Sequence, residues 1–101
     1  MKGQPKQVRP ISASDYPMDV QLIIACKIGR LDLVESLVES NLVDPSFGNN
    51  KSLECCCENG RDNIAKYLLT YPGVTFSGNS ALNLATQYKH QRCIDLATTQ
   101  R

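Results

Sequence analysis

The chain has 101 residues, which at the usual ~100–200 residues per domain allows one domain and excludes a multi-domain enzyme. Eleven Lys and Arg stand against ten Asp and Glu, so the formal net charge of +1 supplies no global field to steer nucleic acid or an anionic membrane. Hydrophobic residues make up 42%, too many for a disordered chain, yet no apolar run approaches the ~20 residues that cross a bilayer. Residues 1–17 also lack the apolar middle of a signal peptide, so the expectation is a soluble chain inside the cell, in cytoplasm or nucleus.

Residues 1–17 carry Lys2, Lys6 and Arg9 and are interrupted by Pro5, Pro10 and Pro17, which reads as an irregular or flexible tail. From residue 18 the chain repeats itself. Asp19–Arg30, Asn50–Arg61 and Asn79–His90 align with Leu22, Leu53 and Leu82 in one column. Ala25, Cys56 and Ala85 share another column, and Gly29 and Gly60 a third, where the last copy has Lys89. Arg30, Arg61 and His90 follow, then Leu33, Ile64 and Cys93. The offset from Leu22 to Leu53 is 31 and from Leu53 to Leu82 is 29. Self-similarity at such a period marks a stacked-repeat architecture. The repeats divide at about 18–48, 49–77 and 78–101.

Each copy predicts a helix, a tight turn and a second helix. Asp19, Asn50 and Asn79 suit the N-cap of the first helix, where a short side-chain oxygen satisfies a free backbone N–H. Gly29 and Gly60 suit its end, because a left-handed backbone costs glycine little. In the second helix Leu33, Val34, Leu37 and Val38, and then Ile64, Ala65, Leu68 and Leu69, repeat at the spacing of one buried helical face. Asp44-Pro45-Ser46, Pro72-Gly73 and Gly78-Asn79 are turn formers between the copies.

This pattern resembles the ankyrin repeat, a β-turn followed by two antiparallel helices. The likeness rests on Leu22/Ala25, Leu53/Cys56 and Leu82/Ala85, on the glycine-plus-basic turn and on the paired apolar residues of the second helix. The shortened linkers are similar to those of protist and giant-virus members. The resemblance implies an all-α fold, an ankyrin-type solenoid of three stacked helix-turn-helix repeats. No copy has the Thr-Pro or the His of the family signature; Ile23, Glu54 and Asn83 stand at the histidine position. Individual repeats are therefore expected to be less stable than a consensus repeat.

The residues offer little for catalysis. His90 is the one histidine, so a nucleophile–base pair would have to be built around it alone. The cysteine number is odd, with Cys55, Cys56 and Cys57 consecutive and Cys26 and Cys93 isolated in sequence, which predicts reduced, buried thiols rather than a disulfide framework. Adjacent helical cysteines point about 100° apart and cannot close on one metal ion. No metal, cofactor, nucleic-acid or membrane role is expected, and a non-enzymatic protein-binding module remains. The family resemblance implies recognition of another protein through the concave face. Carried over column by column, the exposed positions are Lys27 and Ile28, Glu58 and Asn59, and Gln87 and Tyr88. Asp19, Asn50 and Asn79, with Phe47 and Phe76 before the second and third, form the linker-tip set. The alternative is a structural element that stacks end to end, as a weak homodimer or a terminal piece of a larger array. Under it, Leu33, Val34, Leu37 and Val38 of the first copy have only the tail to cover them.

Overall fold

A computed structural model describes residues 16–99; most of the expected tail, residues 1–15, lies outside them, as do residues 100 and 101. Every regular element described is a helix: α1 (Met18–Ile28), α2 (Leu31–Glu39), α3 (Phe47–Asn59), α4 (Asp62–Leu68), α5 (Ala81–Gln87) and α6 (Gln91–Thr99). They form three hairpins, α1–α2, α3–α4 and α5–α6. The first helices stack in the order α1, α3, α5, and the second helices in the order α2, α4, α6. The resulting body is elongated, 45 × 23 × 21 Å.

The hairpin turns are set by backbone chemistry. Gly29 and Gly60 take φ of 83° and 71°, and the amide after each bonds back to Ala25 or Cys56. Lys89 adopts the same left-handed turn at φ 58° without being glycine, and His90 N–H bonds to the Ala85 carbonyl as its counterparts do. Left-handed geometry costs an ordinary L-residue about 1–2 kcal/mol, so the third turn holds strain that the first two avoid.

None of the three expected N-caps holds that position; Asn79 lies one residue before the N-cap Ser80 of α5, and its Oδ1 accepts from Ala81 N–H at 3.0 Å. Asp19 already lies inside α1, which starts after Pro17, and its carboxylate accepts from Val20 N–H. Asn50 fails for a different reason. Gly48, Asn49 and Asn50 form a left-handed turn, with φ of 62°, 58° and 68°, at the front of α3. Glycine and asparagine are the residues that tolerate this conformation. The turn carries Asn50 inward, where it is 5% exposed and its Oδ1 has no hydrogen-bond partner in the protein.

The core is a column running between the hairpins. Ala25, Cys56 and Ala85 are all fully buried, and small side chains there let neighbouring first helices approach. Leu22, Leu53, Val34, Ile64, Ala65 and Leu68 complete its interior. Leu33, Val34, Leu37 and Val38 are all buried in α2, which packs on α1 and α4; most of the tail expected to cover them lies outside the described residues.

Candidate protein-binding surface

The hairpin turns form a ridge along the stack, and one side-chain bond recurs on it. Arg61 Nε and Nη2 donate to the Lys27 carbonyl of the preceding hairpin at 3.2 and 2.9 Å. One repeat later, the His90 ring nitrogen Nε2 meets the Glu58 carbonyl at 3.2 Å and must donate, since a carbonyl only accepts. Lys27 and Glu58 are column equivalents, as are Arg61 and His90. A basic residue after the turn thus reaches back to the end of the previous first helix, whose last carbonyls lack helical partners. Arg30, at the start of the stack, pairs with Asp32 at 2.9 Å instead. The guanidinium holds the Asp32 carboxyl below its usual range.

The glycines make room for this clamp. A Cβ on Gly60 would lie 2.8 Å from the His90 ring, and one on Gly29 3.0 Å from the Arg61 guanidinium. Glycine is favoured at Gly60 for two independent reasons, backbone sign and space, and at Gly29 chiefly for backbone sign, because the near atoms there are the far end of the flexible Arg61 side chain. The glycine-plus-basic column is visible in the sequence, but its reach to the preceding repeat is not.

Along this ridge the structure brings together the expected turn positions. Lys27, Ile28, Gln87 and Tyr88 are exposed, with Glu58 and Asn59 half-buried between them. Ile28 and Tyr88, both 46% exposed, share one column and flank Asn59. The Tyr88 ring lies over His90, centroids 6.3 Å apart and 25° between planes, so the clamp also orients the tyrosine. The linker-tip set is less available. Phe47 and Phe76 are half-buried against the core. Asp19 and Asn79 are half-buried, and Asn50 is buried, which corrects its expected exposure. Asn49, which was not expected, is exposed and donates its Nδ2 to the Gly78 carbonyl at 2.8 Å, linking the two loops.

Helical hairpins in register, a left-handed turn closing each and small residues where they touch are the geometry the resemblance implied. A family model for ankyrin repeats in three copies matches residues 22–98. The chain belongs to the ankyrin-repeat family. No curated protein and no solved structure matches it significantly. Ankyrin repeats generally mediate protein–protein interaction and are typically non-catalytic. No helix among the described residues is long and apolar enough to cross a membrane, and no group of three or more His, Cys, Asp or Glu there is placed to hold a metal ion.

All five cysteines of this ankyrin domain are free and buried. Cys26 and Cys93, isolated in sequence, are not isolated in space. Cys26 adjoins Cys56, and this contact, with burial, raises the Cys56 thiol well above its ordinary value. Cys93 adjoins Cys57. Three consecutive cysteines thus face different neighbours, as helical geometry requires.

Proposed function

We propose that this ankyrin domain is a non-catalytic adaptor that receives a partner protein on the ridge of hairpin turns and first-helix ends. The observation that carries the reading is the pair Ile28 and Tyr88, exposed equally and in one column, with polar Glu58 and Asn59 between them. Partly rigid apolar and aromatic side chains at such spacing are suited to be contact anchors, and the surrounding Lys27 and Gln87 supply a polar rim. Tyr88 is held by its stack on His90, which lowers the ordering cost of binding. In this reading residues 18–101 are the binding unit, and Asp19, Phe47, Phe76 and Asn79 contribute through loop shape more than direct contact. The partner is another protein rather than nucleic acid.

The test is capture of partners from a cell extract by the native chain and by a Tyr88→Ala, Glu58→Ala double variant, followed by affinity measurement with whatever is recovered. The double variant weakens binding by about tenfold or more, roughly 1.4 kcal/mol, with a nearly unchanged melting temperature. An unchanged affinity moves the binding surface off the ridge.

End-to-end stacking is supported by one further observation. Leu22 and Leu53 are fully buried, whereas Leu82 in the same column is 38% exposed on the last hairpin. Sedimentation velocity over a range of concentrations separates the two readings: a persistent monomer favours the adaptor, and a concentration-dependent dimer favours assembly.

A further inference from the structure

Of the asparagines in the chain, Asn59 is the one followed by glycine. That order matters because asparagine is a labile residue: the next backbone nitrogen can attack its side-chain carbonyl carbon and expel ammonia. A side chain on the following residue obstructs the approach, and glycine has none. Asn41, Asn63 and Asn83 precede Leu42, Ile64 and Leu84, Asn49 precedes Asn50, and Asn50 precedes Lys51. Asn59 is therefore intrinsically the most reactive asparagine. It is half-buried at the last position of α3, on the ridge of hairpin turns and in one column with the exposed Ile28 and Tyr88.

The fold restrains this reaction without blocking it. Asn59 Nδ2 donates to the Cys55 carbonyl at 2.8 Å, and Gly60 N–H donates to the Cys56 carbonyl. Ring closure needs both bonds to break and Asn59 to leave its helical backbone. These bonds belong to the last turn of the helix, where fraying is easiest. Asn79, before Ser80, is held more fully. Its Nδ2 donates to the Thr75 carbonyl, its Oδ1 accepts from Ala81 N–H, and the Ser80 nitrogen that would attack donates to the Glu54 carboxylate.

We propose that Asn59 deamidates spontaneously, at a rate set by opening of the α3–α4 turn, and that the product places a negative charge on the ridge between Ile28 and Tyr88. The Gly60 nitrogen gives its proton to solvent and attacks Asn59 Cγ. The new N–Cγ bond forms, the bond from Cγ to Nδ2 breaks, and Nδ2 leaves as ammonia with a proton taken from solvent. Water then opens the succinimide ring. Addition at the side-chain carbonyl breaks its bond to nitrogen and gives aspartate; addition at the backbone carbonyl gives isoaspartate. The balance is one amide and one water to one carboxylic acid and one ammonia. Neither product restores the turn. A carboxylate has no N–H to offer Cys55, and isoaspartate lengthens the backbone beside the left-handed Gly60. A weakened partner contact would follow on the adaptor reading, but the chemical step does not depend on that reading.

The test keeps the native chain at mildly alkaline pH, folded and in urea, and maps its peptides over time by mass spectrometry. Asn59 is expected to convert first in both samples, about tenfold more slowly when folded. Asn79 trails it by about tenfold in each. In urea, Gly60→Ala slows conversion of Asn59 by about tenfold, because the added Cβ obstructs the attack where no turn exists to be disturbed. Asn59→Asp, the aspartate product made directly, melts a few degrees below the native chain. Three results overturn the proposal: earlier conversion at another asparagine of the folded chain, equal rates with and without urea, or an intact folded Asn59 after about a hundred unfolded half-lives. An unchanged melting midpoint for Asn59→Asp overturns the claim that the product loosens the turn.

Discussion

The second and third hairpins carry the same columns and put them to different use. In the second, Leu53 is fully buried and Gly60 makes the turn; in the third, Leu82 is 38% exposed and Lys89 makes it. Residue type does not separate Leu53 from Leu82. What separates them is that a further described hairpin packs over Leu53 and none of the described residues does so over Leu82, which is the nearest-neighbour logic of a repeat array. The third turn, in contrast, differs by sequence, and its strain is local. Two kinds of weakness, one positional and one chemical, thus meet in the same hairpin.

The largest expected effect tests position against residue type. Leu53→Ala removes a side chain enclosed on all sides and costs about 2–5 kcal/mol, a large part of the ~5–15 kcal/mol that holds a domain together. Leu82→Ala, at the same column, costs about 1 kcal/mol or less, because its site already opens to water. Urea unfolding of both variants measures the ratio. Equal losses would mean that the outer face of the third hairpin is covered as well as the inner ones.

The second test concerns the turn. Gly60→Ala places a Cβ at 2.8 Å from the His90 ring in a left-handed backbone, and destabilises by about 2–3 kcal/mol. Adding His90→Ala relieves the steric part and leaves the backbone part, so the double-mutant cycle shows positive coupling of about 1 kcal/mol. Additive losses would show that the ring moves aside freely and that the clamp to Glu58 carries little. Gly29→Ala is milder, since its neighbour is the far end of the flexible Arg61 side chain.

These contrasts also mark how far the sequence could be read. Period, helix pairs, the small-residue column of Ala25, Cys56 and Ala85, and the closing turns were legible because they depend on spacing and on local backbone preference. The left-handed Gly48-Asn49-Asn50 turn was not, although its residues permit it: an asparagine before a helix reads equally as a cap, and φ is not written in the residue name. Arg61 and His90 were visible as a basic column, but a bond to the preceding repeat depends on the rise between hairpins. The same holds for Cys57 and Cys93, whose meeting needs two faces of α3 to be assigned to two neighbours. The Ile28 and Tyr88 positions were legible as a column, whereas Asn50 was misplaced at the surface by that hidden turn.

The smallest stability effect should come from relieving the third turn. Lys89→Gly removes the left-handed penalty but adds freedom to the unfolded chain, for a net gain of about 0.5–1 kcal/mol. The Lys89 side chain is exposed and makes no hydrogen bond or ion pair among the described residues, and its backbone bond to the Thr86 carbonyl is open to glycine too, so the gain is not offset by a lost contact. A rise in melting midpoint of a few degrees, about what 1 kcal/mol gives in a chain of this size, is the expected reading. A fall would mean that the lysine interacts with Asp62 or another carboxylate across the cavity it helps line, and that the third turn is held by charge as well as by its hydrogen bond to Ala85. In that event the difference between the two hairpins would be positional alone, with no chemical weakness left to explain.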